Sequence, residues 1–228
     1  MIYILSEKNI CFPDPREGEK DGLFAVGGDL SVERLWLAYN NGIFPWYAFR
    51  DNLDKFFPTL KGKKQILWYC PMDRFVIFPN EIHISHSMRN LFNKGTYKVS
   101  MNEDFDAVIE NCSKLRIDDQ NAWLGPDMVA AYKELYRRGC CVSIEVWDED
   151  NKLCGGLYGV LTQNVFCGES MFSLKPSASK VALIYLSKLL IANDVKLIDC
   201  QFETPHLKSM GGRHISYEEY MDVMNGAS

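Results

Sequence analysis

Three short apolar segments in succession, between residues 141 and 173, constrain the fold more than any other feature of this chain. They read CVSIEVW, LCGGLYGVL and VFCGESMFS. Polar turns at 150–152 and 163–164 separate them, which is typical of strands that are joined as antiparallel hairpins. The sequence therefore predicts three consecutive antiparallel strands.

Helical segments lie on both sides of this predicted meander. The segment VERLWLAYNNG follows Ser31, a residue type that caps helices, and ends at Gly42. GPDMVAAYKELYRRG has Pro126 in its first turn, and SASKVALIYLSKLLIAND predicts one long helix. Helices that alternate with a largely antiparallel sheet define the α+β class. Because the character of the chain changes near residue 72, we predict a small N-terminal domain over 1–72 and a second domain over 73–228.

Composition limits the function further. Of the 228 residues, 47% are hydrophobic and 24% charged, as in globular proteins, and the net charge of −5 gives no overall attraction to nucleic acid. No apolar run reaches the ~18 residues of a membrane span, and the N-terminus lacks the features of a signal peptide. We therefore expect a cytoplasmic protein with no membrane segment. The eight cysteines and four histidines show no metal-ligand spacing, so we also expect no metal site.

A carboxylate interrupts the last of the three apolar segments. Glu169 lies inside VFCGESMFS, where the pattern predicts a central strand. A buried carboxylate is costly unless it is paired, so such a residue usually has a task. Two interpretations stay open at this point: a functional acid, or a structural acid bonded to the backbone or to a lysine.

A polar pair lies in the segment LIDCQ. Asp199 and Gln201 are two residues apart, so a strand would place both on one face, with Ile198 and Cys200 on the other. A carboxylate and an amide on one face can accept and orient an amine. The alternative interpretation is a solvated strand edge.

Two tryptophans lie in segments that predict loops. Trp46 follows a proline in IFPWY, and Trp123 precedes a helix in NAWLGPD. Tryptophans in loops can stack on nucleic-acid bases, at about 1–3 kcal/mol per base. Each of the two can equally fill a gap in the core.

Ten stretches of the chain match one family in order and spacing. They are GLFAVGGDLS, NNGIFPWY, ILWYCPMDR, IHISHSM, SIEVW, GGLYGV, FCGESMFS, ASKVAL, LIDCQ and HLKSMGG. Through them the chain resembles the leucyl/phenylalanyl-tRNA–protein transferase family almost end to end. The resemblance implies a small N-terminal domain followed by a domain similar to the acetyltransferase (GNAT) fold, with a mainly antiparallel sheet flanked by helices.

The resemblance also implies a reaction and its partners. Leu or Phe moves from aminoacyl-tRNA to the α-amine of a protein that begins with Arg or Lys, and the product enters N-degron degradation. No cofactor is needed, because the aminoacyl ester is already activated.

The resemblance assigns a role to each candidate residue. Asp199 and Gln201 orient and activate the attacking amine, and whether Asp199 acts as a base or binds the cationic acceptor stays open. Glu169 helps to hold the aminoacyl-adenosine, and Trp46 and Trp123 flank its adenine. The matching positions for a Leu/Phe side-chain pocket are Leu157, Phe166, Leu183 and Leu186. The last two are three apart on the long helix and so share a face, which ordinary core packing would explain as well.

The chain has fewer basic residues than the family in the segment after IHIS. Where family members carry several basic residues for the tRNA stem, HSMRNLFNKG keeps only Arg89 and Lys94. The segment 50–64 brings lysines of its own. We therefore predict weak contacts of Arg89 and Lys94 with the tRNA backbone.

Two other functions fit parts of the sequence. An acetyl-CoA-dependent N-acetyltransferase would share the GNAT-like fold, but its glycine-rich pyrophosphate loop is replaced here by LKPSASK. A non-catalytic tRNA- or peptide-binding module is the second alternative, and the intact LIDCQ argues against it. We predict an enzyme that acts as a monomer.

Overall fold

The computed structural model describes residues 1–48, 65–114 and 124–227. The described residues form two β-sheets and seven α-helices. The first sheet has four strands in the order β1-β2-β4-β3. Its strands are β1 Tyr3–Leu5, β2 Leu23–Gly27, β3 Phe44–Ala48 and β4 Gln65–Tyr69.

The second sheet has seven strands in the order β11-β5-β10-β9-β8-β7-β6. They are β5 Asp73–Ile77, β6 Lys98–Met101, β7 Cys141–Trp147, β8 Leu153–Leu161, β9 Val165–Ser173, β10 Leu197–Asp199 and β11 Arg213–Ser216. Strands β9 and β10 are parallel, and the other pairs described in this sheet are antiparallel. The predicted meander is β7, β8 and β9, so that prediction and the α+β class with a mainly antiparallel sheet are confirmed.

Seven helices accompany the two sheets. They are α1 Val32–Tyr39, α2 His86–Asn93, α3 Phe105–Lys114, α4 Pro126–Arg137, α5 Ala178–Ala192, α6 Pro205–Ser209 and α7 Tyr217–Met224. In α1 the hydroxyl of Ser31 accepts a hydrogen bond from the backbone N–H of Arg34 at 3.4 Å, which confirms the predicted cap. Gly42 follows α1 with φ of 68°, and a β-carbon there would lie 2.7 Å from the ring of Tyr220. The turn after α1 therefore requires glycine.

The seven-stranded sheet has an apolar cluster on each face. One cluster combines buried residues of α3 and α4, such as Tyr132, with Tyr158 of β8 and with Phe24 and Trp68 of the first sheet. The other combines the buried face of α5, including Leu183, with residues of the β7–β10 strands. The first sheet thus packs against the α3/α4 side. The sheets divide between residues 69 and 73, and the domain boundary near 72 stays a prediction.

Sequence patterns missed several short elements. Strands β1 and β11 and the five-residue helix α6 are too short to show a hydrophobic period. Trp46, predicted in a loop, lies in β3, where it pairs with Leu67 of β4. Within the described ranges, no helix is long and apolar enough to cross a membrane.

Candidate active site

A cleft of about 280 Å³ opens where β9 and β10 separate. The two strands pair in parallel up to Cys167 and Asp199, after which β9 continues along β8 while the chain leaves β10. Residues from β9, from the segment after β10, from α5, α6 and β3 line the cleft. Side chains from both apolar clusters therefore meet in this one cavity.

A β-bulge directs Glu169 into the cleft. Tyr158 pairs with Ser170 and Gly159 with Gly168, so Glu169 is the extra residue on β9. Such a bulge bends a strand and re-aims a side chain. Gly159 permits this geometry, because a β-carbon there would lie 2.2 Å from the carbonyl oxygen of Cys167.

The carboxyl group of Glu169 accepts hydrogen bonds from three side chains. The hydroxyl of Tyr39 lies 2.7 Å from Oε1, that of Tyr132 lies 2.6 Å from Oε2, and Gln201 Nε2 lies 3.3 Å from Oε1. Glu169 is 8% exposed, and burial raises its pKa to about 7 despite the hydroxyls, which favour the charged form. Among the described residues its partners are therefore neither backbone nor lysine, but two tyrosines and an amide that also lines the cleft.

Asp199 lies inside the protein rather than in the cleft. Its Oδ2 lies 3.0 Å from the guanidinium of Arg74 and accepts from the hydroxyl of Tyr220 at 3.0 Å. Its Oδ1 accepts the backbone N–H of Gln201 at 2.9 Å. The side chain is 1% exposed and is not part of the cleft wall.

The predicted strand face is wrong for this pair. Strand β10 ends at Asp199, and Gln201 has φ of 62°, in the left-handed region. The chain therefore turns, so that Gln201 reaches the cleft while Asp199 points to Arg74. Ile198 and Cys200, predicted to face away, line the cleft.

Trp46 lines the cleft from the first sheet. Its ring lies 5.8 Å from that of Phe202 and 6.2 Å from that of Tyr69, and its side chain is half-buried. A ligand entering from this side would contact the indole. Trp123 lies outside the described residues, and its predicted stacking role stays a prediction.

Three of the four predicted pocket residues line the cleft. Leu157, Phe166 and Leu183 belong to the wall, whereas Leu186 is buried in the same cluster without reaching the cavity. Ile198 and Leu207 complete this apolar half. The polar half is formed by Glu169 and Gln201, next to Trp46 and Phe202. The cleft can therefore accept a ligand with an apolar side chain at one end and polar atoms at the other.

The remaining candidate residues lie elsewhere. Arg89 and Lys94 are exposed on and after α2, outside the cleft wall, and their contact with tRNA stays a prediction. Burial raises the pKa of Cys200 far above its usual range, so this cleft cysteine is no thiolate nucleophile. No cluster of His, Cys, Asp and Glu suited to a metal occurs in the part of the chain that the structure describes.

Sequence reasoning missed four partners of the two carboxylates. Tyr39 and Tyr132 lie at helix positions that resemble ordinary core, and Tyr220 lies with Val223 on the buried face of α7. Arg74 had a weaker signal, because it stands at the start of the apolar run RFVIFP, and a charged residue that is buried with such a run needs a buried partner. The partner itself, Asp199, is 125 residues away and cannot be read from local pattern.

The fold and the cleft define an α+β protein with a candidate ligand cleft where its parallel strand pair separates. The family model of the leucyl/phenylalanyl-tRNA protein transferases matches residues 76–225, and that of their N-terminal domain matches residues 28–54. The chain belongs to the leucyl/phenylalanyl-tRNA protein transferase family.

Named relatives match almost the whole chain. A leucyl/phenylalanyl-tRNA–protein transferase of Flavobacterium johnsoniae is 43% identical over 225 residues, which cover 98% of this chain and 99% of that protein. Another, of Syntrophobacter fumaroxidans, is 45% identical over 224 residues, 98% of this chain and 89% of that protein. A solved tandem GNAT protein from the clavulanic acid biosynthesis pathway aligns with 62% of this chain and 49% of its own, at 10% identity and a TM-score of 0.36. That likeness is too weak to carry an argument.

Proposed function

We propose that this protein transfers an amino acid from aminoacyl-tRNA to the N-terminal α-amine of another protein, with Leu or Phe as the donor residue and Arg or Lys as the acceptor. The observation that carries the proposal is the cleft, which joins an apolar half to the polar group of Glu169 and Gln201 in a chain of this family. Membership favours tRNA as the donor over acetyl-CoA. We expect the reaction to occur in the cytoplasm, with the protein acting as a monomer.

The two halves of the cleft suit the two ends of an aminoacyl-adenosine. Leu157, Phe166 and Leu183 would surround the Leu or Phe side chain, and burial of its apolar surface would provide binding energy. The ester and the ribose would lie at the polar half, beside Gln201. The adenine would stack on Trp46, because this indole lines the cleft next to the polar half.

The reaction replaces one bond with another. The acceptor nitrogen attacks the ester carbonyl carbon, the new C–N bond forms and the C–O bond to the ribose breaks. The nitrogen loses a proton, and the departing ribose oxygen gains one. Because an ester is already reactive, positioning of the two substrates provides much of the rate enhancement.

Gln201 is the residue best placed to orient the amine. Its Nε2 donates to Glu169, so its amide oxygen points away from Glu169 and can accept a hydrogen bond from the attacking nitrogen. Asp199 acts through Gln201 in this proposal: its Oδ1 accepts the Gln201 backbone N–H and holds the turn. We therefore assign Asp199 a positioning role, and neither of the two roles that the sequence left open.

The test uses both substrates. The purified protein is incubated with tRNA carrying labelled Leu and with a peptide that begins with Arg. Label on the peptide is expected, and the same peptide with an acetylated α-amine is the matched control and should stay unlabelled. If neither Leu-tRNA nor Phe-tRNA labels the free peptide, the proposal is overturned.

A further inference from the structure

The cleft wall contains a histidine that the candidate mechanism does not use. His206 lies in the short helix α6 and is half-buried at the cavity. Its Nε2 is buried and has no hydrogen-bond partner among the residues that the structure describes. A buried polar atom without a partner is costly, so its place in a ligand cavity calls for a ligand group that can satisfy it.

His206 adjoins Leu207, which belongs to the apolar half of the cleft. Its neighbour Leu207 packs with the apolar cluster on the α5 face, and Lys180 of α5 is close enough to affect the imidazole electrostatically. Lys180 precedes Leu183 by three residues, so both lie on one face of α5. The tyrosines that bind Glu169 belong to the cluster on the opposite face of the sheet. His206 and Leu183 both line the cleft, and the proposed function places the donor side chain at Leu183.

Burial, and then the charge of Lys180, lower the pKa of His206, so that the imidazole is neutral near pH 7. A neutral imidazole presents either an N–H group or a lone pair at Nε2, according to its tautomer. An aromatic ring satisfies both forms, because its face is electron-rich and its edge electron-poor. A leucine side chain satisfies neither.

We propose that His206 is a specificity-determining residue that contacts the end of the donor side chain and favours an aromatic one over an aliphatic one. The inference rests on the proposed function, since it needs the apolar half of the cleft to hold the transferred residue. The atom that distinguishes Phe from Leu is the Nε2 of His206.

The test compares kcat/KM for Phe-tRNA with kcat/KM for Leu-tRNA in one assay. His206→Leu keeps an apolar wall of similar size and removes the nitrogen, and we expect the Phe/Leu ratio to fall about twofold to fivefold, as for a weak N–H–ring contact. His206→Gln, whose amide reaches the place of Nε2, should restore part of the ratio. His83→Leu is the matched control, because His83 is exposed and outside the cleft wall, and its ratio should equal that of the wild type.

An unchanged Phe/Leu ratio in His206→Leu would overturn the inference while leaving the proposed function intact. Absence of transfer from both tRNAs in the wild type would instead overturn the proposed function. If His206→Leu does not fold, the readout is thermal stabilisation by the amide analogues of phenylalanyl- and leucyl-adenosine. The excess gain from the phenylalanyl over the leucyl analogue should then be larger in the wild type than in His206→Ala, and an equal excess in the two proteins would overturn the inference.

Discussion

The carboxylate of Asp199 lies 3.0 Å from the guanidinium of Arg74, and both side chains are almost wholly buried. Arg74 also donates to the carbonyl oxygen of Gly42 at 2.6 Å and lies between the rings of Phe44 and Tyr220. This ion pair connects β10 to β5 and to the turn after α1. Because Asp199 is held there, we propose that it acts on catalysis only through Gln201, whose backbone N–H it accepts.

Asp199→Asn should therefore destabilise the protein as well as lower kcat. The substitution leaves the Arg74 charge buried without its partner, which costs about 3–5 kcal/mol in comparable pairs. Urea denaturation measures the loss. The double variant Asp199→Leu with Arg74→Met is the control, since replacing both charges should recover much of the stability and none of the activity. An Asp199→Asn variant with wild-type stability would contradict the structural role of the pair.

Substitution of Gln201 should separate activity from stability. Gln201→Ala and Gln201→Gly both remove the amide, so both should lower kcat. A backbone φ of 62° strains every residue that has a β-carbon, so alanine keeps the conformational cost of Gln201 and glycine removes it. Gln201→Gly should therefore be more stable than Gln201→Ala by about 1 kcal/mol. Thermal unfolding and steady-state rates test the two effects separately. Full activity in either variant would remove Gln201 from the mechanism.

Glu169 should make stability depend on pH in an unusual direction. Its pKa of about 7 in the fold exceeds its ordinary value of 4.5, so the native state binds the extra proton. The contribution of Glu169 to the free energy of unfolding is greatest below about pH 4.5. It is lost as the pH rises through about 7, by about 3 kcal/mol in total.

Glu169→Gln removes this component and keeps the shape of the side chain. The unfolding free energy of wild type and variant is measured at about pH 5 and about pH 8 by denaturant titration. The wild type should lose more stability than the variant over this interval, because the other ionisable groups are common to both. Equal losses in the two proteins would show that burial does not raise the pKa of Glu169.

Trp46→Ala should mainly weaken donor binding. Stacking on a base acts in the ground state and in the transition state alike, so KM for aminoacyl-tRNA should rise more than kcat falls. A loss of about 1–3 kcal/mol corresponds to a rise of about 5-fold to 150-fold in KM. Trp46→Phe should keep part of the affinity. If Trp46→Ala unfolds, the contacts with Tyr69 and Phe202 are its principal role instead.

Local pattern predicted the parts of the fold that local chemistry determines. The meander β7–β9 follows from its apolar segments and polar turns, and the start of α1 follows from Ser31. The end of β10 does not, because a non-glycine residue at positive φ, Gln201, gives no sequence signal. Two hydrogen bonds hold the conformation of Gln201, one to Asp199 and one to Glu169. The bond to Glu169 also requires the β-bulge at Glu169, which Gly159 permits.

The candidate site was predicted as residue types rather than as an arrangement. Glu169 was recognisable as a carboxylate in an apolar strand, and the structure shows it buried and bonded to two tyrosines. Its partners Tyr39 and Tyr132 come from helices 130 and 37 residues away along the chain, and only tertiary packing brings them together. His206 was considered only as a metal ligand and not as a residue of the cleft, because its segment HLKSMGG has no apolar pattern that indicates burial.

The most direct test of this account is a crystal structure with the amide analogue of phenylalanyl-adenosine bound. We predict the phenyl ring among Leu157, Phe166 and Leu183, the amide beside Gln201, the adenine on Trp46, and Asp199 still paired with Arg74. An analogue bound outside the cleft, or an Asp199 side chain that leaves Arg74 to contact the analogue, would contradict it.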